Sequence, residues 1–116
     1  MAGVDEIQEL ADRALQVFKR WQGSRHALSR EDLCQMFDCD DRVLREAVRE
    51  LRIRGYLIVA DKAGGYRFAR HGQEVYGYTA SLKSRIQALR EVTTAMETAA
   101  RQKFGEPVEQ IPMFGA

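Results

Sequence analysis

This chain of 116 residues has little of what exported, membrane or metal-built proteins are made from: two cysteines, two prolines and two histidines. No apolar run approaches the ~18 residues that span a bilayer. The opening Met1-Ala2-Gly3-Val4-Asp5-Glu6 lacks the basic-then-apolar order of a signal peptide. The expectation is therefore a soluble, cytoplasmic protein. Charge of one sign is also scarce, since 18 basic residues face 17 acidic ones for a formal net of +1. That balance excludes a histone-like polycation and any strong long-range pull on anionic partners from the total charge.

Cys34 and Cys39 form a C-x4-C pair with no second pair, and the histidines are His26 and His71. A disulfide framework does not fit a reducing compartment, and the spacing is not that of a zinc finger or ribbon. Both cysteines read as small apolar residues packed in a core, so no metal and no cofactor is expected. The chain also lacks a phosphate-binding glycine loop and any Ser/His/Asp or Cys/His arrangement, so an enzyme is not expected.

What is present is periodicity. Ile7, Leu10, Ala11, Ala14, Val17, Phe18 and Trp21 make a helical stripe, with Asp5, Glu6 and Glu9 near its positive end. Gly23-Ser24 closes it, and Arg25-His26-Ala27-Leu28 has the length of a brief strand. Ser29 followed by Asp32 predicts a capped short helix through Leu33, Met36 and Phe37. Asp38-Cys39-Asp40 predicts a tight turn, Asp40 a cap for a helix over 41–54, and Gly55 its stop. Leu57-Ile58-Val59 and Tyr66-Arg67-Phe68 read as two strands around the turn Asp61-Lys62-Ala63-Gly64-Gly65, whose glycines suit positive φ. A second long helix runs over 73–104, weakened at Gly77, and the remainder from Gly105 has no periodicity.

The fold class is thus mainly α with a small β-hairpin: a winged helix-turn-helix plus a long C-terminal helix. Its parts are a winged-helix domain over 1–71, the helix over 72–104 and a docking tail over 105–116. Phe37-Asp38-Cys39-Asp40 through Gly55, then Tyr56 to Phe68, resembles the N-terminal DNA-binding domain of the biotin operon repressor and related bacterial regulators. The resemblance is one of pattern, with Leu44, Val48 and Leu51 as the buried face, then Arg52, Gly55 and the wing ending Gly65-Tyr66. It implies a DNA-reading helix and a wing, without biotin, because the ligase domain is absent.

On the helix 41–54, Arg42, Arg45, Arg49 and Arg52 fall within about 80° of arc, opposite Leu44, Ala47, Val48 and Leu51. A solvated face would mix lysine and glutamate there, as the pairs Arg42–Glu46 and Glu50–Arg54 do. Arg45–Arg49 is instead a like-charge i,i+4 pair, and Arg42–Arg45 and Arg49–Arg52 are i,i+3 pairs, each costing a few tenths of a kcal/mol. Such stacking makes sense opposite an anion, and arginine forks onto guanine edges and phosphates. The small net charge hides this local excess: residues 42–71 hold eight basic and three acidic side chains, and residues 19–30 four basic and none acidic. Arg42, Arg45 and Arg49, with Arg52 in the same stripe, are assigned to the groove, and Arg30, Lys62, Arg67 and Arg70 to phosphates. Glu31, Asp32, Asp40 and Asp41 lie close by and repel phosphate, and winged domains also serve as protein-docking modules.

Val75, Thr79, Leu82, Ile86, Leu89, Thr93, Met96 and Ala100 recur at spacings of 4 and 3, a weak heptad seam. Some thirty helical residues reach ~45 Å, beyond the span of a ~70-residue domain. The helix is expected to pair with the first helix over part of its run and with a second copy beyond, giving a homodimer. Packing on the first helix alone, with a frayed end, is the other arrangement. Lys83, Arg85 and Arg90 offer a further one, a DNA-contacting arm. In the tail, Gln110-Ile111-Pro112-Met113-Phe114 resembles the pentapeptide with which bacterial and phage proteins bind the replication sliding clamp, with Ile111 and Met113 in place of two leucines. The alternative is that Met113 and Phe114 fold onto the core or a dimer partner.

Three functions are compatible with these residues. One is a dimeric, nucleoid-associated transcriptional regulator bound to double-stranded DNA. Another is a phage or mobile-element replication accessory protein that joins DNA to the clamp, since small phage and prophage winged-helix proteins with a long terminal helix look like this chain. The last is a docking module that does not bind DNA.

Overall fold

A computed structural model describes residues 3–22 and 27–107. Their elements run in the order α1 (Val4–Arg20), α2 (Arg30–Phe37), α3 (Asp41–Ile53), β1 (Ile58–Ala60), β2 (Tyr66–Phe68) and α4 (Gly72–Phe104). The architecture is the mainly helical one expected, with a two-stranded antiparallel hairpin and a long C-terminal helix. The chain divides into two units between Tyr78 and Thr79, inside α4, so the first two turns of that helix belong with the hairpin and α1–α3.

Local chemistry sets the element ends. The Ser29 hydroxyl accepts from the Asp32 N–H at 3.0 Å, and the Asp40 carboxylate from the Val43 N–H at 2.9 Å, so α2 and α3 each satisfy one of their orphan donors. Between them Asp38 turns the chain in the left-handed region (φ 50°), which a short polar side chain tolerates. At the far end of α3 the Gly55 N–H donates to Arg52 O and the Tyr56 N–H to Leu51 O, with Gly55 at φ 102°. That is the Schellman closure, and it stops the helix one residue before Arg54.

The core lies between α1, α2, α3 and the hairpin. From α3, Leu44, Ala47, Val48 and Leu51 are completely buried, the face that the periodicity assigned. Ala11 and Ala14 on α1 and Ala47 on α3 have no exposed surface either, and such small side chains let two helices approach closely. The buried stripe of α1 is Leu10, Ala11, Ala14, Leu15 and Phe18. Leu15 takes a place there because it sits one turn after Ala11, whereas Trp21 lies past the last helical turn and is half exposed. Leu33 and Phe37 of α2 close one side, while Met36 points to solvent. The Phe18 and Phe68 rings, tilted at 52° with centroids 6.1 Å apart, join α1 to β2.

The hairpin pairs Ile58 with Phe68, Val59 with Arg67 and Ala60 with Tyr66. Leu28 adds a single antiparallel bridge to Tyr66, exchanging hydrogen bonds of 2.9 and 2.8 Å, so a fragment of the brief strand read at 25–28 is present. The two turn glycines have different tasks. Gly64 has φ 89°, whereas at Gly65 a Cβ would stand 2.8 Å from Leu28 O and 2.9 Å from the Ala27 Cβ. Gly65 is there to let the Leu28 segment close on the hairpin. Asp61 fixes the same turn by accepting from the Gly65 N–H at 2.8 Å.

No helix of the described residues is long and apolar enough to cross a membrane. Helix α4 passes through Gly77 without interruption. The helix-on-helix partner of α1 is α3, and the first turns of α4 are tied to β2 and α3 instead.

Leu51, completely buried where α3 meets the rest of the core, sets the first test. Leu51→Ala is expected to lower the unfolding free energy by about 2–5 kcal/mol, read by urea titration.

Candidate nucleic-acid interface

The outward face of α3 is the obverse of its buried one. Rotating by ~100° per residue from Leu44, Ala47, Val48 and Leu51 brings Arg42, Arg45 and Arg49 to the opposite side, and all three are exposed. Arg42 Nε lies 3.7 Å from Glu46 and Arg45 Nε lies 3.2 Å from Asp41. Arg49 makes no ion pair or hydrogen bond with the described residues and borders a shallow concavity with Gly3, Val4, Ile7, Gln8, Glu46 and Glu50.

Asp41, first residue of α3, also stands 3.7 Å from Arg30 Nε on α2. The Arg30 guanidinium in turn reaches the hairpin turn, since a Cβ at Gly64 would lie 3.3 Å from its Nη2. The starts of α2 and α3 and the turn that carries Lys62 therefore form one surface, with a concavity lined by Ser29, Arg30, Glu31, Cys34, Asp41 and the turn residues Ala63 and Gly64. Arg30 and Arg45 meet on Asp41, with Arg42 the next residue along α3 and Lys62 two residues before Gly64 in the turn that Arg30 reaches. Asp41 pairs with both Arg30 and Arg45, and these two ion pairs are between half-exposed side chains. Exposed pairs of this kind are worth about 0–1 kcal/mol, so a phosphate competes with them readily.

Two arginines assigned to DNA are engaged elsewhere. Arg52 stands at the edge of the arginine sector, next to buried Val48, and the hairpin packs on that edge. Its Nε donates to Ile58 O at 2.9 Å, and its guanidinium lies 5.7 Å from the Tyr66 ring centroid and 4.7 Å from that of Tyr78. Its Nη2 is buried with no hydrogen-bond partner among the described residues, so the two aromatic faces carry the compensating attraction. Arg67 donates from Nη1 to Glu74 at 2.7 Å and to Phe68 O at 3.2 Å, with its side chain about one-fifth exposed. Helical spacing and strand position put both outward; only the packing of the hairpin and of α4 turns them in. Arg70 is exposed, and its backbone N–H donates to Glu74 at 3.0 Å.

Glu74 is the residue that sequence reasoning missed. It receives the Arg67 guanidinium and the Arg70 N–H together, and these two hydrogen bonds, the arginine first, hold its carboxyl down at about 2. Nothing local in the sequence marks the pair, since the partners lie seven residues apart across a turn. Arg54 likewise leaves α3 to meet Asp12 of α1 at 2.6 Å, beside the expected Glu50 at 3.3 Å.

The cysteines flank the turn between α2 and α3, where the Cys39 N–H donates to Cys34 O at 3.0 Å. Both are free, half-buried and packed against the core. Burial first, then the neighbouring Cys34, pushes the Cys39 thiol up to about 11, so it stays protonated at neutral pH. Among the described residues no three His, Cys, Asp or Glu side chains gather into a metal-ligating group. The tail residues Gln110, Ile111, Met113 and Phe114 lie outside the described residues.

Comparison with protein-family models, with curated proteins and with solved structures gives no match to this chain.

The depressed Glu74 carboxyl yields a pH signature. Its stabilising effect is complete above the ordinary carboxylate value of 4.5 and is lost as the pH falls from there through about 2. The gap in thermal midpoint between the native protein and Glu74→Gln should be widest at neutral pH and close across that window. A gap that is the same at pH 7 and pH 2 would contradict the assignment.

Proposed function

We propose that this chain is a winged-helix protein that binds double-stranded DNA, with α3 in the major groove and the hairpin turn against the backbone, and that it acts as a transcriptional regulator. The observation that carries this reading is the outward face of α3. Three arginines stand there at i, i+3 and i+7, of which Arg49 has no partner among the described residues. Arg42 and Arg49 are separated by about 10 Å along the axis, roughly three base-pair steps, and an α-helix fits the major groove. Arg30 and Lys62 flank this face on α2 and on the hairpin turn, where phosphate contacts would fix the register. Arg52 and Arg67 take no part in the reading; they hold the helix and the wing in place.

The replication role remains a second reading because of one feature of sequence, the clamp-motif-like Gln110-Ile111-Pro112-Met113-Phe114. It would add a partner to the DNA-binding protein rather than replace the DNA.

Selection of a preferred site from random duplexes, followed by anisotropy titration, tests the reading. Each of Arg45→Ala and Arg49→Ala should weaken specific binding by about 10-fold or more, the loss of a base or phosphate fork. Lys62→Ala should weaken binding to all sequences alike and lower the salt slope by about one. Arg52→Ala should instead cost on the order of 2 kcal/mol of folding stability. Failure to bind any duplex at low salt would overturn the proposal and leave a protein-docking domain.

A further inference from the structure

The second unit consists, among its described residues, of the rest of α4 and a short extension, and α4 has no buried residue. Along it Ile86, Leu89, Val92 and Met96 are 50%, 68%, 56% and 68% exposed, on one side of the helix. In heptad terms Ile86, Thr93 and Ala100 occupy the a positions and Leu82, Leu89 and Met96 the d positions. Thr93 fits an apolar seam because its hydroxyl already donates to Leu89 O at 2.8 Å, leaving the methyl group free. We propose that this face pairs with the same face of a second copy, and that the two helices run antiparallel about a two-fold axis at residue 91.

Size and charge select that orientation. With Leu82 level with the partner's Ala100, Ile86 meets the partner's Met96 and Leu89 the partner's Thr93. Most layers then match a large side chain with a small one. Flanking positions face their own kind in an antiparallel pair, so Lys83 stands opposite the partner's Glu97, twice by symmetry. Neither has an ion-pair partner within the described chain. Val92, apolar at a position that is ordinarily polar, meets its symmetry mate at the axis. A parallel pair would instead set Arg85 against the partner's Arg90 on both sides, and would stack Ala100 on Ala100. Shifting the antiparallel pair by one heptad in one direction brings Lys83 against the partner's Arg90. Shifting it in the other sets Ile86 against the partner's Lys103 and leaves Leu82 opposite the partner's Pro107, past the helix end at Phe104. The chosen register keeps one like-charge contact, Arg90 across the two-fold.

This pairing does not rest on DNA binding, and its test is separate. Light scattering and sedimentation of the full chain at micromolar concentration should give twice the 13.3 kDa chain mass. Lys83→Glu and Glu97→Lys should each weaken the dimer on the order of tenfold, by exchanging two attractive flanking pairs for two repulsive ones. The double variant should recover native affinity. Positions 83 and 97 are about 21 Å apart along one helix, so a parallel pair offers no such rescue. A monomeric mass, or a dimer insensitive to the single variants or unrescued by the double one, would overturn the proposal. Loss of the dimer with DNA binding intact, or the reverse, identifies which of the two readings has failed.

Discussion

Arg52 leaves the last turn of α3 with its Nε on the Ile58 carbonyl at 2.9 Å and its guanidinium between the rings of Tyr66 and Tyr78. One side chain thereby joins the third helix to both hairpin strands and to the second turn of α4. The charge-assisted hydrogen bond and the cation–π contacts, less the cost of the unpartnered Nη2, together contribute on the order of 2 kcal/mol. The consequence is positional. The outward arginines of α3 and the turn that carries Lys62 belong to two elements that share few backbone hydrogen bonds, and Arg52 fixes one relative to the other. Arg67 and Glu74 repeat the device one strand further on, between β2 and the start of α4.

What was legible in the sequence was local. Ser29, Asp40 and Gly55 announce the helix ends because a cap is a chemical property of one residue and its next few neighbours. The buried face of α3 followed from period alone, since four completely buried residues return at helical spacing. The fates of Arg52 and Arg67 were not legible, because each depends on an element that is far along the chain or across a turn. The same holds for Gly65, whose need for a missing Cβ arises only when Leu28 approaches from 37 positions earlier. Of the four arginines that helical spacing groups on α3, Arg42, Arg45 and Arg49 are exposed and Arg52 is turned in; the spacing is the same and only what packs beside them differs.

The near-cancellation of charge takes on a structural meaning in this arrangement. Asp40 and Asp41 sit at the start of α3 and Glu31 and Asp32 at the start of α2, where the helix dipoles favour acids. Those same acids neighbour the basic face, and Asp41 pairs with both Arg30 and Arg45. The helix starts are stabilised and the arginines are held extended, while each exposed ion pair stays weak enough to open. A surface built so has a modest average potential. Under the proposed DNA-binding reading, its selectivity would depend on where the phosphate charges are rather than on how many there are.

The second unit poses a stability question that the first does not. An isolated helix in water is marginal below about 12–15 residues and owes most of its stability in proteins to an apolar face that is covered. Past Tyr78, α4 continues to Phe104 with no residue buried, and its sequence includes β-branched Val92, Thr93 and Thr94, which are poor helix formers. Capping contributes a little, with Arg101 and Lys103 in the last turn, Gly105 at φ 84° and an Arg101–Glu106 ion pair at 3.3 Å. These end effects amount to about 1–2 kcal/mol. Covering Leu82, Ile86, Leu89 and Met96 would contribute about 1.5–3 kcal/mol for each side chain fully removed from water. By these magnitudes, occupation of the proposed seam would add more to the stability of this helix than its end contacts do.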